Sequence, residues 1–239
     1  MMRLRTSHSV GALLLLLAAR GAPSAGSPAS GTLARPRVEG SASGRPREPQ
    51  AEFGRRLSTS GAQLLKLLAG DGVDNDRFGM SVAVSSDGAR VVVGALAASD
   101  GAAGDRFGYS VAVSSDGARV VAGAYQDDDQ GSTSGSVYVL DGATGERLLK
   151  LVASDGAASD LFGYSVAVSS DGARVVVGSK YDDDQGSGSC SAYVLDGTTG
   201  ERLLKLVASD GAAGDRFGYS VAVSSDGARV VVGAYYDDD

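Results

Sequence analysis

Apolar and polar positions alternate in short bursts along most of this chain, and the bursts return at a fixed interval. In Phe107–Ser115, Tyr109, Val111 and Val113 alternate with Ser110, Ala112 and Ser114. A period of two marks a half-buried β-strand, here with small residues on its second face. Arg119–Ala124 is instead a nearly continuous apolar run, which suits a strand buried on both faces. Asp116-Gly117 between them predicts a two-residue hairpin of type I′, with positive φ at both central positions. Ser136–Leu140 and Arg147–Val152 supply a third and a fourth strand, separated by the turn residues Asp141-Gly142-Ala143-Thr144-Gly145. The fourth segment, ERLLKLV, has the leucine and lysine content of a helix. So short a segment makes a marginal helix in water, and a strand is expected there.

Phe107, Phe162 and Phe217 open equivalent segments at equal spacing. A fixed period of this size means one supersecondary unit copied in tandem. Four short strands joined by tight turns, with no room for a long helix, describe a β-propeller blade. The expected fold class is therefore all-β, built from propeller blades of four antiparallel strands. The copies are unequal. Residues 107–154 and 162–209 are full units. Residues 62–97 are partial: AQLLKLLAG matches a fourth strand and Phe78-Gly79 and Val91-Val92-Val93 mark a first and a second, but the loop and the last two strands are missing before Phe107. Residues 217–239 are truncated at Asp237-Asp238-Asp239, within a loop. The 13 strands so counted fill fewer than four blades, whereas propellers close with roughly 4–8. The expectation is an incomplete propeller of about three to four blades: an open arc, a ring closed by oligomerising, or a fragment of a longer protein. An open arc leaves unpaired edge strands that invite self-association.

The chain ahead of the repeats differs in kind. Arg3 and Arg5 precede an apolar run, Val10 to Ala19, followed by small residues at Gly21, Ala22, Ser24 and Ala25. Residues 1–25 thus have the layout of a secretory signal peptide, with an apolar run too short for the roughly 20 residues that cross a bilayer. Residues 26–60 are rich in Gly, Ser, Pro and Arg and have almost no apolar periodicity, as expected of a disordered linker. Residues 1–56 hold nine Arg and three Glu, a net of +6, against −7 for the whole chain, so residues 57–239 carry −13. An acidic body of this kind argues against nucleic acid or anionic lipid as a partner. A membrane enters only if the leader stays as an uncleaved anchor. The expected location is secreted or extracellular.

Catalytic groups are scarce. The single histidine, His8, lies in the leader. The remainder has no imidazole for Ser–His–Asp or Cys–His catalysis, nor for a Cys/His zinc site. Cys190 is the only cysteine, so no internal disulfide exists; Gly135 holds its place in the preceding copy. The glutamates are either copies of one another, Glu146 and Glu201, or lie in the linker, at Glu39, Glu48 and Glu52. A carbohydrate-active enzyme would need a non-repeated acid pair among the loops. The chain is therefore expected not to be an enzyme, and no catalytic residue or cofactor is assigned.

Phe107-Gly108, the valine strand that follows, and Gly123-Ala124-Tyr125 together resemble the FG-GAP repeat, over about residues 60–239. Asp105-Arg106, the Ser-Val-Ala strand and the Gly-Ser-Val-Tyr-Val strand recur in the same order. FG-GAP repeats build the propeller heads of integrin α subunits, so the resemblance implies an extracellular propeller used for adhesion or ligand binding. Quinoprotein and WD-type propellers are excluded by the absence of tryptophan. Two departures stand out. Tyr125, Lys180, Tyr235 and Leu96 replace the family's proline, and the calcium loop of the family is absent. Ser115-Asp116-Gly117 stands in its place, and one carboxylate cannot supply the roughly six to eight oxygens that Ca²⁺ takes.

Other carboxylates recur in every unit. Asp127–Asp129, Asp182–Asp184 and Asp237–Asp239 are equivalent triplets, and Asp100/Asp105, Asp155/Asp160 and Asp210/Asp215 form a second set before Phe-Gly. Asp127, Asp129, Asp182 and Asp184 are the candidate ligands for a divalent cation, but no metal is assigned to them: solvated, solubilising turns are the favoured reading. The expected function is that of a secreted or cell-surface module binding an extracellular protein or glycan. Near-identity of the copies suggests that no single blade is specialised.

Overall fold

The computed structural model describes residues 17–18, 79–94, 104–183 and 186–237. The chain divides into two units, residues 1–20 with 73–239, and residues 21–72; the second lies outside the described residues. So do the expected strand at 62–70, the linker, and all of the leader except 17–18.

Every regular element among the described residues is a strand. The strands are β1 (Leu17–Ala18), β2 (Val82–Val84), β3 (Arg90–Val93), β4 (Phe107–Val113), β5 (Arg119–Ala124), β6 (Ser136–Asp141) and β7 (Arg147–Leu151). They continue as β8 (Phe162–Val168), β9 (Arg174–Ser179), β10 (Ser191–Asp196), β11 (Arg202–Leu206), β12 (Phe217–Val223) and β13 (Val230–Ala234). Strands β4-β5-β6-β7 form one antiparallel meander and β8-β9-β10-β11 a second. The pairs β2–β3 and β12–β13 are the inner halves of two further blades. β1 pairs antiparallel with the free edge of β3, Leu17 opposite Val91. The segments ERLLKLV are strands in both full units, where they pair with β6 and β10.

The hairpin between β4 and β5 departs from the type I′ expectation. Only Gly117 is left-handed, at φ 69°, while Asp116 keeps negative φ. Gly117 N–H bonds the Ser114 carbonyl at 2.9 Å, which closes an ordinary four-residue turn before the left-handed glycine. Side chains select this form. Asp116 Oδ1 accepts the Ala118 amide at 2.8 Å and the Ser114 hydroxyl at 2.7 Å, and Ser114 Oγ accepts the Arg119 amide at 2.9 Å. The same carboxylate bonds recur at Asp87, Asp171 and Asp226.

The core lies between blades. Val121, Val137, Val139 and Leu151 of one blade meet Phe162, Val175, Val177 and Tyr193 of the next. One junction earlier, Val92 meets Phe107, Val120, Ala122 and Tyr138. Phe107 stacks edge-on against Tyr138 at 5.0 Å, and Phe162 against Tyr193 at 5.3 Å. The glycine of Phe-Gly serves the same junction. Register slips between Phe107 and Ser110, and Gly108 takes φ 74° to make that bulge.

Candidate functional site

Two polar clusters sit above this core, one in each full blade. In the first, Asp127 follows β5 while Ser136 and Tyr138 alternate along β6, hence on one face. Lys150 on β7 is the cross-strand partner of Tyr138. Asp127 Oδ2 accepts from Ser136 Oγ at 2.9 Å and Tyr138 OH at 3.1 Å, and pairs with Lys150 Nζ at 2.9 Å. Lys150 also reaches Asp129 at 2.6 Å. The second cluster repeats this with Asp182, Ser191, Tyr193 and Lys205 at 2.9, 2.7 and 3.0 Å. There Asp155, from the turn between blades, joins in: it lies 3.1 Å from Tyr193 OH and pairs with Arg202 and Lys205.

These contacts fix the charges. Burial alone would raise the Asp127 carboxyl, but bonds from Lys150 and Ser136 outweigh it and leave the pKa below the ordinary value. Asp182 is held low in the same way, against burial, by Tyr193, Lys205 and Ser191. Lys150 is raised: burial opposes its charge, and Asp129 and Asp127 more than restore it. Asp127 and Asp182 are thus buried loop clamps and not solvated turns. Of the four candidate cation ligands, Asp127, Asp129 and Asp182 already face an ammonium, and Asp184 lies outside the described residues. Among the described residues no group of three or more His, Cys, Asp or Glu is arranged to hold a metal ion. Asp105, Asp160 and Asp215 are buried as well. Asp160 and Asp215 each cap the preceding turn, accepting the Ala157 and Ala212 amides at 2.6 Å.

A different set of residues forms a continuous surface feature. Tyr109, Tyr164 and Tyr219 each follow Phe-Gly, so the repeat places them in a row across three blades. Tyr109 and Tyr164 are 5.1 Å apart and Tyr164 and Tyr219 5.3 Å. The Tyr109 hydroxyl donates to that of Tyr164 at 3.1 Å. Tyr125 wedges between Tyr109 and Tyr164, and Tyr235 stacks on Tyr219 at 5.0 Å. Burial and the neighbouring hydroxyls push the Tyr164 phenol well above its ordinary range.

The row changes character at the junction of the last two blades. Lys180 takes the place of Tyr125, and its ammonium lies 4.3 Å from the centre of Tyr164, 5.0 Å from Tyr181 and 5.5 Å from Tyr219. Arg216 lies over Tyr236 at 4.3 Å and near Tyr181 at 6.0 Å. Tyr181 and Tyr236 are exposed. In the preceding blade Gln126 holds the position of Tyr181, and its side chain accepts from Arg106 at 2.8 Å. Repetition thus does not leave all blades alike. Column-by-column comparison of the copies carries the signal: Tyr125, Lys180, Tyr235; Gln126, Tyr181, Tyr236; Arg106, Leu161, Arg216.

Cys190 marks the same junction. It is buried and left-handed, at φ 70°, where Gly135 has φ 85°. Gly135 lies against Phe162 of the next blade and bridges to it, and the Phe162 amide bonds Ser134 at 2.9 Å. Burial pushes the Cys190 thiol up to about 12.

A hydrazine synthase chain of Kuenenia stuttgartiensis is similar in structure, at 18% identity and a TM-score of 0.44, over 73% of this chain and 45% of that one. The present chain therefore spans under half the length of that relative. No curated protein matches. The FG-GAP repeat model matches at residues 62–97, 95–140, 147–195 and 202–239. With its blade-opening Phe-Gly bulges and four matching units, the chain belongs to the FG-GAP repeat family.

Proposed function

We propose that this protein is a secreted or cell-surface binding module that recognises an extracellular protein or glycan without catalysing a reaction. The observation that carries this reading is the cluster of Tyr181, Arg216 and Tyr236 at the end of the tyrosine row, in which both tyrosines are exposed. Tyrosine offers a large contact area at low conformational cost, with a polar hydroxyl for hydrogen bonding. Flat aromatic faces suit sugar rings and apolar side chains alike, and Arg216 with Lys180 adds positive charge within an acidic body. In the two full blades, Asp127 and Asp182 are tied to Lys150 and Lys205, and so are not held ready for catalysis. The leader at residues 1–25 supports an extracellular destination.

The test is an array of glycans and matrix proteins probed with the purified secreted chain and with Tyr181→Ala/Tyr236→Ala. Binding that falls at least tenfold in the double variant supports the reading. Undiminished binding, or no ligand on the array at all, counts against it.

A further inference from the structure

Each blade junction is made by the same bonds. Ser81 Oγ donates to the Gly108 carbonyl at 2.6 Å, Ser110 Oγ to Gly163 at 2.9 Å, and Ser165 Oγ to Gly218 at 2.9 Å. At the hairpin ends the Ser86 amide donates to the Ser115 carbonyl at 3.1 Å. The Ser115 amide donates to Ser170, and that of Ser170 to Ser225, each at 3.0 Å. Every blade therefore has a donor face toward the following blade and an acceptor face toward the preceding one. Apolar residues follow the same polarity. On the donor face, Val121 and Val176 are fully buried. Their counterpart in the last half-blade, Val231, is 68% exposed, beside exposed Tyr235. On the acceptor face, Val111, Val113, Val166 and Val168 are covered by the preceding blade. Their counterparts in the first half-blade, Val82 and Val84, are 67% and 60% exposed, beside exposed Met80, while Val93, opposite Val82 on the same face, is buried.

From this polarity we infer that the chain associates head to tail. The donor face of β12–β13 docks on the acceptor face of β2–β3 of a second copy and reproduces the internal junction. Ser220 Oγ and the Ser225 amide of one copy meet the Gly79 and Ser86 carbonyls of the other. Val231 and Ala222 of the first cover Val82 and Val84 of the second. The occupant is a second copy because the two exposed faces are the two halves of a junction already made three times within one chain. A contact of this kind is heterologous, so it closes into a ring or runs on as a filament. The edge of β3 is paired with β1, so faces and not strand edges carry the contact at that end. At the other end, a Cβ on Gly178 would strike the Gly218 carbonyl, whereas on Gly233 it meets only Ser220.

The experiment is light-scattering mass of the full secreted chain over a rising concentration series. Association is expected, with masses at multiples of the protomer. Val231→Asp and Val82→Asp should each be folded by circular dichroism and remain monomeric alone. Mixed together they should form a dimer and nothing larger, because each retains the one face that the other lacks. Gly233→Ala, which touches no internal junction, should weaken association at least tenfold. A wild-type chain that stays monomeric throughout overturns the inference. So do variants that still associate, or a mixture of folded variants that stays monomeric.

Discussion

Gly123 on β5 lies directly against the backbone carbonyl of Gly163 on the next blade's β8, and Ser110 Oγ, bonded to that carbonyl, crowds the same position. The two glycines that define the repeat, one from Gly-Ala and one from Phe-Gly, therefore touch across a junction and not within a unit. The same contact joins Gly94 to Gly108 and Gly178 to Gly218. A β-carbon at Gly123 would fall on the Gly163 oxygen, and the backbone cannot yield without parting the blades. Gly123→Ala is expected to destabilise the fold by about 3 kcal/mol, at the upper end of overpacking costs. Urea denaturation of Gly123→Ala beside Gly233→Ala checks this; the second should lose much less.

Cys190 is a side chain where the fold calls for glycine. Left-handed backbone at a residue with a β-carbon costs about 1 kcal/mol or more. Cys190→Gly should restore the geometry of Gly135 and raise stability by about 1 kcal/mol, seen as a higher melting temperature. The thiol of the native protein should resist alkylation at neutral pH and react promptly once the chain is unfolded.

Acid should weaken the blades through Asp127 and Asp182. Both carboxyls are held below the ordinary value near 3.8. A depressed folded-state pKa contributes stability above the unfolded value, and that stability is lost as pH falls through the folded one. Melting temperature should therefore drop steeply below about pH 4. Asp182→Asn should cost about 3 kcal/mol at neutral pH, since it leaves Lys205 less compensated, and should flatten the acid limb. An unchanged acid limb in the variant would show that other carboxylates govern it.

Lys150 and Lys205 occupy the positions where a cation would sit among the loop carboxylates. Equal melting temperatures in EDTA and in millimolar calcium are therefore expected. Lys150→Ala removes the ammonium and leaves Asp127 and Asp129 facing each other, so this variant should be destabilised by about 3 kcal/mol. A calcium-dependent rise in the melting temperature of the wild-type chain would refute the assignment of the lysines as counter-ions.

Strands and their order were legible because period-two alternation and near-identical copies leave few alternatives. β5 lies at its expected bounds, Arg119–Ala124, and β4, β6 and β7 end close to theirs. The hairpin type was not legible, since Asp-Gly suits two turns and the choice rests on Ser114 and Asp116 capping amides. Burial of Asp127 was hidden for a related reason. Its partners Ser136, Tyr138 and Lys150 belong to later strands and meet it only through strand pairing. The Tyr181–Arg216–Tyr236 cluster was in the sequence as departures from the repeat, but attention to what the copies share conceals what they do not.

The shortened first unit makes the Ser81 and Gly94 contacts of a full blade through β2 and β3. The serine and glycine contacts between units are thus written into the first two strands, while Val137, Val139 and Leu151 of β6 and β7 add to the core between the full blades. Among the described residues, Val92 is the buried side chain that the first unit adds to the core at its junction. An insertion after the second strand of a unit should therefore cost less than one within β2–β3 or its counterparts, which would part the serine–glycine contacts themselves.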